Sequence, residues 1–105
     1  MNYKNLSGRE IAKVLRVQPD LRDKLELYKM SGDDISWVLQ AQPDLHSKLE
    51  LKKMNGEDIA LVLRAQLDLY NKLEIDKMSS LDIAWLLQVQ PDLRDKLKVL
   101  KNYKK

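Results

Sequence analysis

Four stretches of this chain carry nearly the same text: EIAKVLRVQPDL from Glu10, DISWVLQAQPDL from Asp34, DIALVLRAQLDL from Asp58 and DIAWLLQVQPDL from Asp82. Ser7, Ser31, Asn55 and Ser79 mark the register, each 24 residues after the one before. A period of about 20–50 residues is the signature of stacked supersecondary units, none of which can bury its apolar side alone. The units run Asn5–Tyr28, Lys29–Lys52, Lys53–Asp76 and Lys77–Leu100, and residues 101–105 form a short basic tail. The 105 residues therefore read as a single repeat domain.

Each unit opens with a helix-start signal. Ser7, Ser31, Asn55 and Ser79 have a short side-chain oxygen that can accept from a free backbone N–H, and Glu10, Asp34, Asp58 and Asp82 follow three residues later. That spacing predicts capping boxes, with Asp a shorter partner than the usual Glu. Ile35, Val38, Leu39 and Gln42 then fall on one helical stripe, as do Ile11, Val14, Leu15 and Gln18. Pro19, Pro43 and Pro91 stop the first helix, because the residue before a proline avoids the α conformation. The same prolines suit the start of a second, shorter helix. Leu67 stands in the proline position of the third unit, so that break must come from packing or from Asp68. Asp20–Lys24, Asp44–Lys48, Asp68–Lys72 and Asp92–Lys96 are spaced for i, i+4 ion pairs on the second helix. The expected fold is all-α: a short-repeat α-solenoid of four helix-turn-helix units. A closed helical bundle is the competing architecture, and it has no need for so strict a register.

The run Lys29-Met30-Ser31-Gly32, with Asp34-Ile35 and then Gln42-Pro43-Asp44-Leu45 and Lys48-Leu49, resembles a bacterial 24-residue tandem repeat. That repeat reads approximately L-S-G-x-D-W-x-x-L-L-x-x-Q-P-x-L-A-D-K-C, and it is similar in turn to the leucine-rich repeat variant. The likeness spans Asn5 to Leu100. Ile11, Ile35, Ile59 and Ile83 stand where the bacterial array favours Trp, and Leu25, Leu49, Leu73 and Leu97 where it favours Cys. The resemblance implies a right-handed superhelix of stacked helix pairs and carries no activity with it.

Bulk properties exclude several classes. With no cysteine there is no disulfide framework, zinc knuckle or thiol nucleophile. No apolar run approaches the roughly 20 residues that span a bilayer, and MNYKNLSGRE lacks a signal-peptide core, so the expectation is a soluble, cytoplasmic protein without a membrane partner. No nucleophile–base pair, phosphate-binding glycine loop or HExxH pattern is present, so a non-enzyme with no cofactor is expected. His46 is the only histidine, and no metal site is expected.

Repetition turns each position into a row of four. On a wheel at about 100° per residue Trp37 lies about 200° from Ile35, on the outer side of its helix. Its row is Lys13, Trp37, Leu61 and Trp85, and Arg16, Gln40, Arg64 and Gln88 share that face. Trp and Arg are enriched where proteins bind partners. Trp37, Leu61 and Trp85 are therefore candidate anchors of a protein partner, with Arg16, Gln40, Arg64 and Gln88 as polar contacts. The competing reading packs the tryptophans sideways against neighbouring units. Gln18, Gln42, Gln66 and Gln90 are expected to satisfy backbone groups at the helix end or the turn. Lysine rows at Lys24, Lys48, Lys72, Lys96 and at Lys29, Lys53, Lys77, Lys101 invite phosphate binding, but acidic rows run beside them and the net charge is only +3, which favours a salt-bridged face. The most varied surface row is Arg22, His46, Tyr70 and Arg94.

A non-catalytic scaffold for protein–protein contact is the favoured expectation. Single-stranded nucleic acid stacked on the tryptophans is the alternative from another class, and a structural or designed array without a dedicated ligand is the third. Weak end-to-end self-association is also expected, because so few residues lie outside the four units to cap the ends.

Overall fold

The protein, described here by a computed structural model over residues 3–92, is all-helical, with no strand among the described residues. Four α-helices recur at the sequence period: α1 (Gly8–Val17), α2 (Gly32–Ala41), α3 (Gly56–Ala65) and α4 (Ser80–Val89). Each packs against the next in chain order.

Helix starts follow the capping chemistry. Ser31 Oγ accepts from the Asp34 amide at 3.2 Å, and Asp34 Oδ2 accepts from the Ser31 amide at 3.0 Å. All four helices have this reciprocal pair, so aspartate reaches far enough to close the box. At the other end Gln18, Gln42, Gln66 and Gln90 share one backbone conformation, with φ from −129° to −134° and ψ from 72° to 77°. Gln66 adopts it without a following proline. What holds it is a side-chain bond: Gln66 Nε2 donates to the Gln40 carbonyl oxygen at 2.9 Å.

The segment after each α-helix is a 3₁₀ turn rather than a second α-helix: Pro19–Lys24, Pro43–Ser47 and Leu67–Asn71. Bonds from i+3 to i close it, as from the Leu45 amide to the Gln42 carbonyl at 3.1 Å. A second 3₁₀ turn follows at Leu27–Lys29, Leu51–Lys53 and Ile75–Lys77, where the sequence pattern simply breaks. With three residues per turn, positions four apart no longer eclipse and positions three apart do. The ion pairs obey that rule. Asp20–Lys24, Asp44–Lys48 and Asp68–Lys72 do not close, whereas Glu26–Lys29, Glu50–Lys53 and Glu74–Lys77 do, at 2.9, 3.4 and 3.2 Å. Asp92–Lys96 extends beyond the described residues.

Ile11, Leu15, Ile35, Leu39, Ile59 and Leu63 lie within the core, with Met30, Met54 and Met78 filling the entrance to each following helix. Gly32 and Gly56 sit where a carbonyl of the next unit comes closest. A Cβ on Gly32 would overlap the Lys53 carbonyl, and one on Gly56 the Lys77 carbonyl. Burial differs sharply along the row. α2 and α3 each bury six residues, α4 only Leu86.

Candidate functional site

Two rows settle as cross-braces between neighbouring units. Gln42 Nε2 donates to the Arg16 carbonyl at 2.7 Å and Gln90 Nε2 to the Arg64 carbonyl at 2.8 Å, as Gln66 does to Gln40. Each amide thus satisfies a free carbonyl at the C-terminus of the preceding helix. Lys53 Nζ donates to the Tyr28 and Met30 carbonyls at 2.7 and 2.9 Å, and Lys77 Nζ to the Lys52 and Met54 carbonyls at 2.8 and 3.0 Å. Lys29 Nζ reaches the Leu6 carbonyl at 3.4 Å. These ammonium groups spend their donors on backbone oxygens and a glutamate each, which leaves little of that row for a phosphate track. Lys96 and Lys101 lie outside the described residues.

Hydrogen bonds also set the shifted titrations. The Ser7 backbone amide, then its hydroxyl, hold Glu10 below the ordinary glutamate range. The bond from Lys29, then that from Tyr28, lowers Glu26, and the bond to Glu26 raises Lys29. All three groups are charged near neutrality and serve structure.

The outer row divides into two kinds of place. Trp37 and Trp85 are both half-buried against the edge of the core, and what differs is the company each ring keeps. The Arg9 and Arg16 guanidinium carbons both lie over its ring, 4.6 Å from the centroid. Arg9 is fixed further by Asp33, 2.6 Å from Nη2 to Oδ2, and by Asp34, 3.1 Å from Nε to Oδ1. Arg16 donates from Nη1 to the Trp37 carbonyl at 2.6 Å. Gln40 is occupied too, donating to Ser36 Oγ at 3.3 Å, while Ser36 in turn donates to the Asp58 carbonyl at 2.9 Å.

Farther along, the corresponding place is open. A groove of about 300 Å³ runs between α3 and α4, lined by Glu57, Ala60, Leu61, Leu81, Asp82 and Trp85. Leu81 on its rim is 82% exposed. Arg64 lies over Trp85 more loosely than either arginine lies over Trp37, 5.8 Å from the ring centroid, and Gln88 is exposed. Leu61 and Trp85 are thus brought together across one groove, and Trp37 belongs to a closed cluster one step away. Arg22, His46 and Tyr70 are half-buried on the turn side, away from this groove, and Arg94 lies outside the described residues.

The row that sequence reasoning passed over is Arg9, Asp33, Glu57 and Leu81. Its signal was a change of charge along one position, from cation to anion to anion to leucine, with an arginine and an aspartate one period apart. No family model, curated protein or solved structure matches the chain. The geometry alone has to carry the functional reading. Among the described residues no group of three or more His, Cys, Asp or Glu side chains could hold a metal ion, and no helix is long and apolar enough to cross a membrane.

Proposed function

We propose that this chain is a non-catalytic helical-repeat scaffold, a short α-solenoid whose outer face binds a protein partner in the groove between α3 and α4. The observation that carries it is the groove itself: apolar walls from Ala60, Leu61, Leu81 and Trp85, with two carboxylates at Glu57 and Asp82. Buried aromatic anchors beside polar rims are the usual composition of a protein-binding hot spot. A leucine as exposed as Leu81 next to a tryptophan edge is a form of apolar surface that partners cover. The solenoid reading is supported by the recurrence of one α-helix and two 3₁₀ turns, by the repeated cross-braces, and by overall extents of 51 × 20 × 19 Å.

Single-stranded nucleic acid is the weaker alternative. Stacking on Trp85 would have Arg64 beside it, but the groove lining carries the carboxylates of Glu57 and Asp82 and no cation, which disfavours a phosphate backbone.

The test is selection of binders from a displayed peptide library, followed by Trp85→Ala and Leu61→Ala. Selected peptides should lose binding to either variant while helical circular dichroism is unchanged. Peptides that bind both variants as well as the parent would remove the groove as the docking site.

A further inference from the structure

We infer that the groove between α3 and α4 receives an arginine side chain of the partner, its guanidinium lying over Trp85 and paired with Glu57 and Asp82. The inference rests on the docking role proposed above and adds the chemistry of what docks.

The protein contains its own template. Positions two units apart correspond one to one. Arg9, Ala12, Lys13, Asp33, Asp34 and Trp37 at the α1–α2 junction become Glu57, Ala60, Leu61, Leu81, Asp82 and Trp85 at the α3–α4 junction. At the first junction the place is filled from within. The Arg9 guanidinium stacks on the indole at 4.6 Å and reaches the carboxylates of Asp33 and Asp34. At the other junction the arginine is replaced by glutamate, and the vacated space is the groove.

The groups that remain call for the same ligand. Asp82 accepts from the Ser79 amide through Oδ2 at 3.0 Å, as Asp34 accepts from Ser31. Asp34 uses its other oxygen, Oδ1, for Arg9 Nε, and the corresponding oxygen of Asp82 has no ion pair among the described residues. Glu57 likewise closes no ion pair there and lines the groove. A guanidinium is planar, carries fixed donors for two carboxylates and stacks on an indole, whereas an ammonium is a compact hydrated point charge. Leu81, in the place of Asp33, supplies an apolar wall for the side chain's methylenes. Arg64 does not forbid a second cation, since Trp37 already takes two guanidinium groups at 4.6 Å each.

The experiment uses the whole chain labelled with ¹⁵N, so that the two indole N–H resonances report separately on Trp37 and Trp85. The probes are capped tripeptides Leu-Arg-Leu, Leu-citrulline-Leu and Leu-Lys-Leu, and a short oligothymidylate. The arginine peptide should shift Trp85 and leave Trp37 in place. Citrulline keeps the shape and loses the charge, and it should bind about tenfold more weakly. Glu57→Gln should weaken the arginine peptide several-fold, and Glu57→Arg with Leu81→Asp, which rebuilds the Arg9–Asp33 arrangement in the groove, should abolish binding. Citrulline or lysine binding as well as arginine would overturn the assignment, as would a Trp85 shift with oligothymidylate alone. Library-selected peptides that need Trp85 but contain no arginine would sink this inference and leave the docking groove standing. Selected peptides indifferent to Trp85→Ala would remove both.

Discussion

The α1–α2 and α3–α4 junctions repeat one helix pairing and differ at three of six corresponding side chains, and that difference separates a filled contact from an open groove. At the first junction Arg9 crosses to the next helix, covers Trp37 and satisfies two carboxylates. At the other, Glu57 and Leu81 stand in the corresponding positions and Trp85 lines an open groove. A tryptophan in a repeated array is therefore not intrinsically a binding residue or a packing residue. What differs is how fully the preceding helix covers it: two guanidinium groups at 4.6 Å lie over Trp37 and one at 5.8 Å over Trp85.

Three pairs of substitutions break or sharpen that contrast. The largest effect is expected from Gly32→Ala, where the added Cβ would run into the Lys53 carbonyl, backbone that cannot swing aside. Urea denaturation should show a loss of about 3 kcal/mol. Ser80, which is exposed at the same position of α4, should tolerate alanine within about 0.5 kcal/mol.

Next comes the comparison of the tryptophans themselves. Trp37→Ala removes an indole under two arginines and should cost about 2 kcal/mol, while Trp85→Ala should cost about half as much. Equal losses in thermal or chemical unfolding would erase the distinction between the closed and open junctions.

The smallest effect separates the units with and without proline. Gln66→Ala loses the bond to the Gln40 carbonyl and has no proline to keep the helix from running on, so a loss of about 1 kcal/mol is expected. Gln42→Ala retains Pro43 and should lose less. Amide exchange at Leu69, whose N–H donates to the Gln66 carbonyl at 3.1 Å, should quicken in the first variant more than the Leu45 amide does in the second.

Much of this was legible in the text of the chain, and the reason is that it depends on neighbours in sequence. Capping boxes from Ser7, Ser31, Asn55 and Ser79, and helix ends at the glutamines, are local matters of reach and backbone conformation. The segments after Pro19 and Pro43 read as α-helix because their apolar spacing fits one, yet five or six residues ending in a turn close more readily with 3₁₀ bonds. Charge pairing then moved from Asp44–Lys48 to Glu50–Lys53 with the change of pitch. The helical wheel put Trp37 on the outer side of its own helix, but it could not know that the ring would be half-buried against the core with Arg9 and Arg16 of the helix before lying over it. Contacts between units depend on how the units are set against one another, and a row of residues gives that only when charges alternate across a period, as Arg9 and Asp33 do.

Repetition has a cost in folding that the arginine clamp offsets. Because Gln42, Gln66 and Gln90 all seek the same carbonyl on the preceding helix, a nascent α1 could pair with the wrong successor and satisfy nearly every backbone group. Only α2 offers the indole and the two carboxylates that Arg9 and Arg16 engage together. That one idiosyncratic junction distinguishes α2 from α3 and α4 as the neighbour of α1, and so favours one order of the copies over the alternatives.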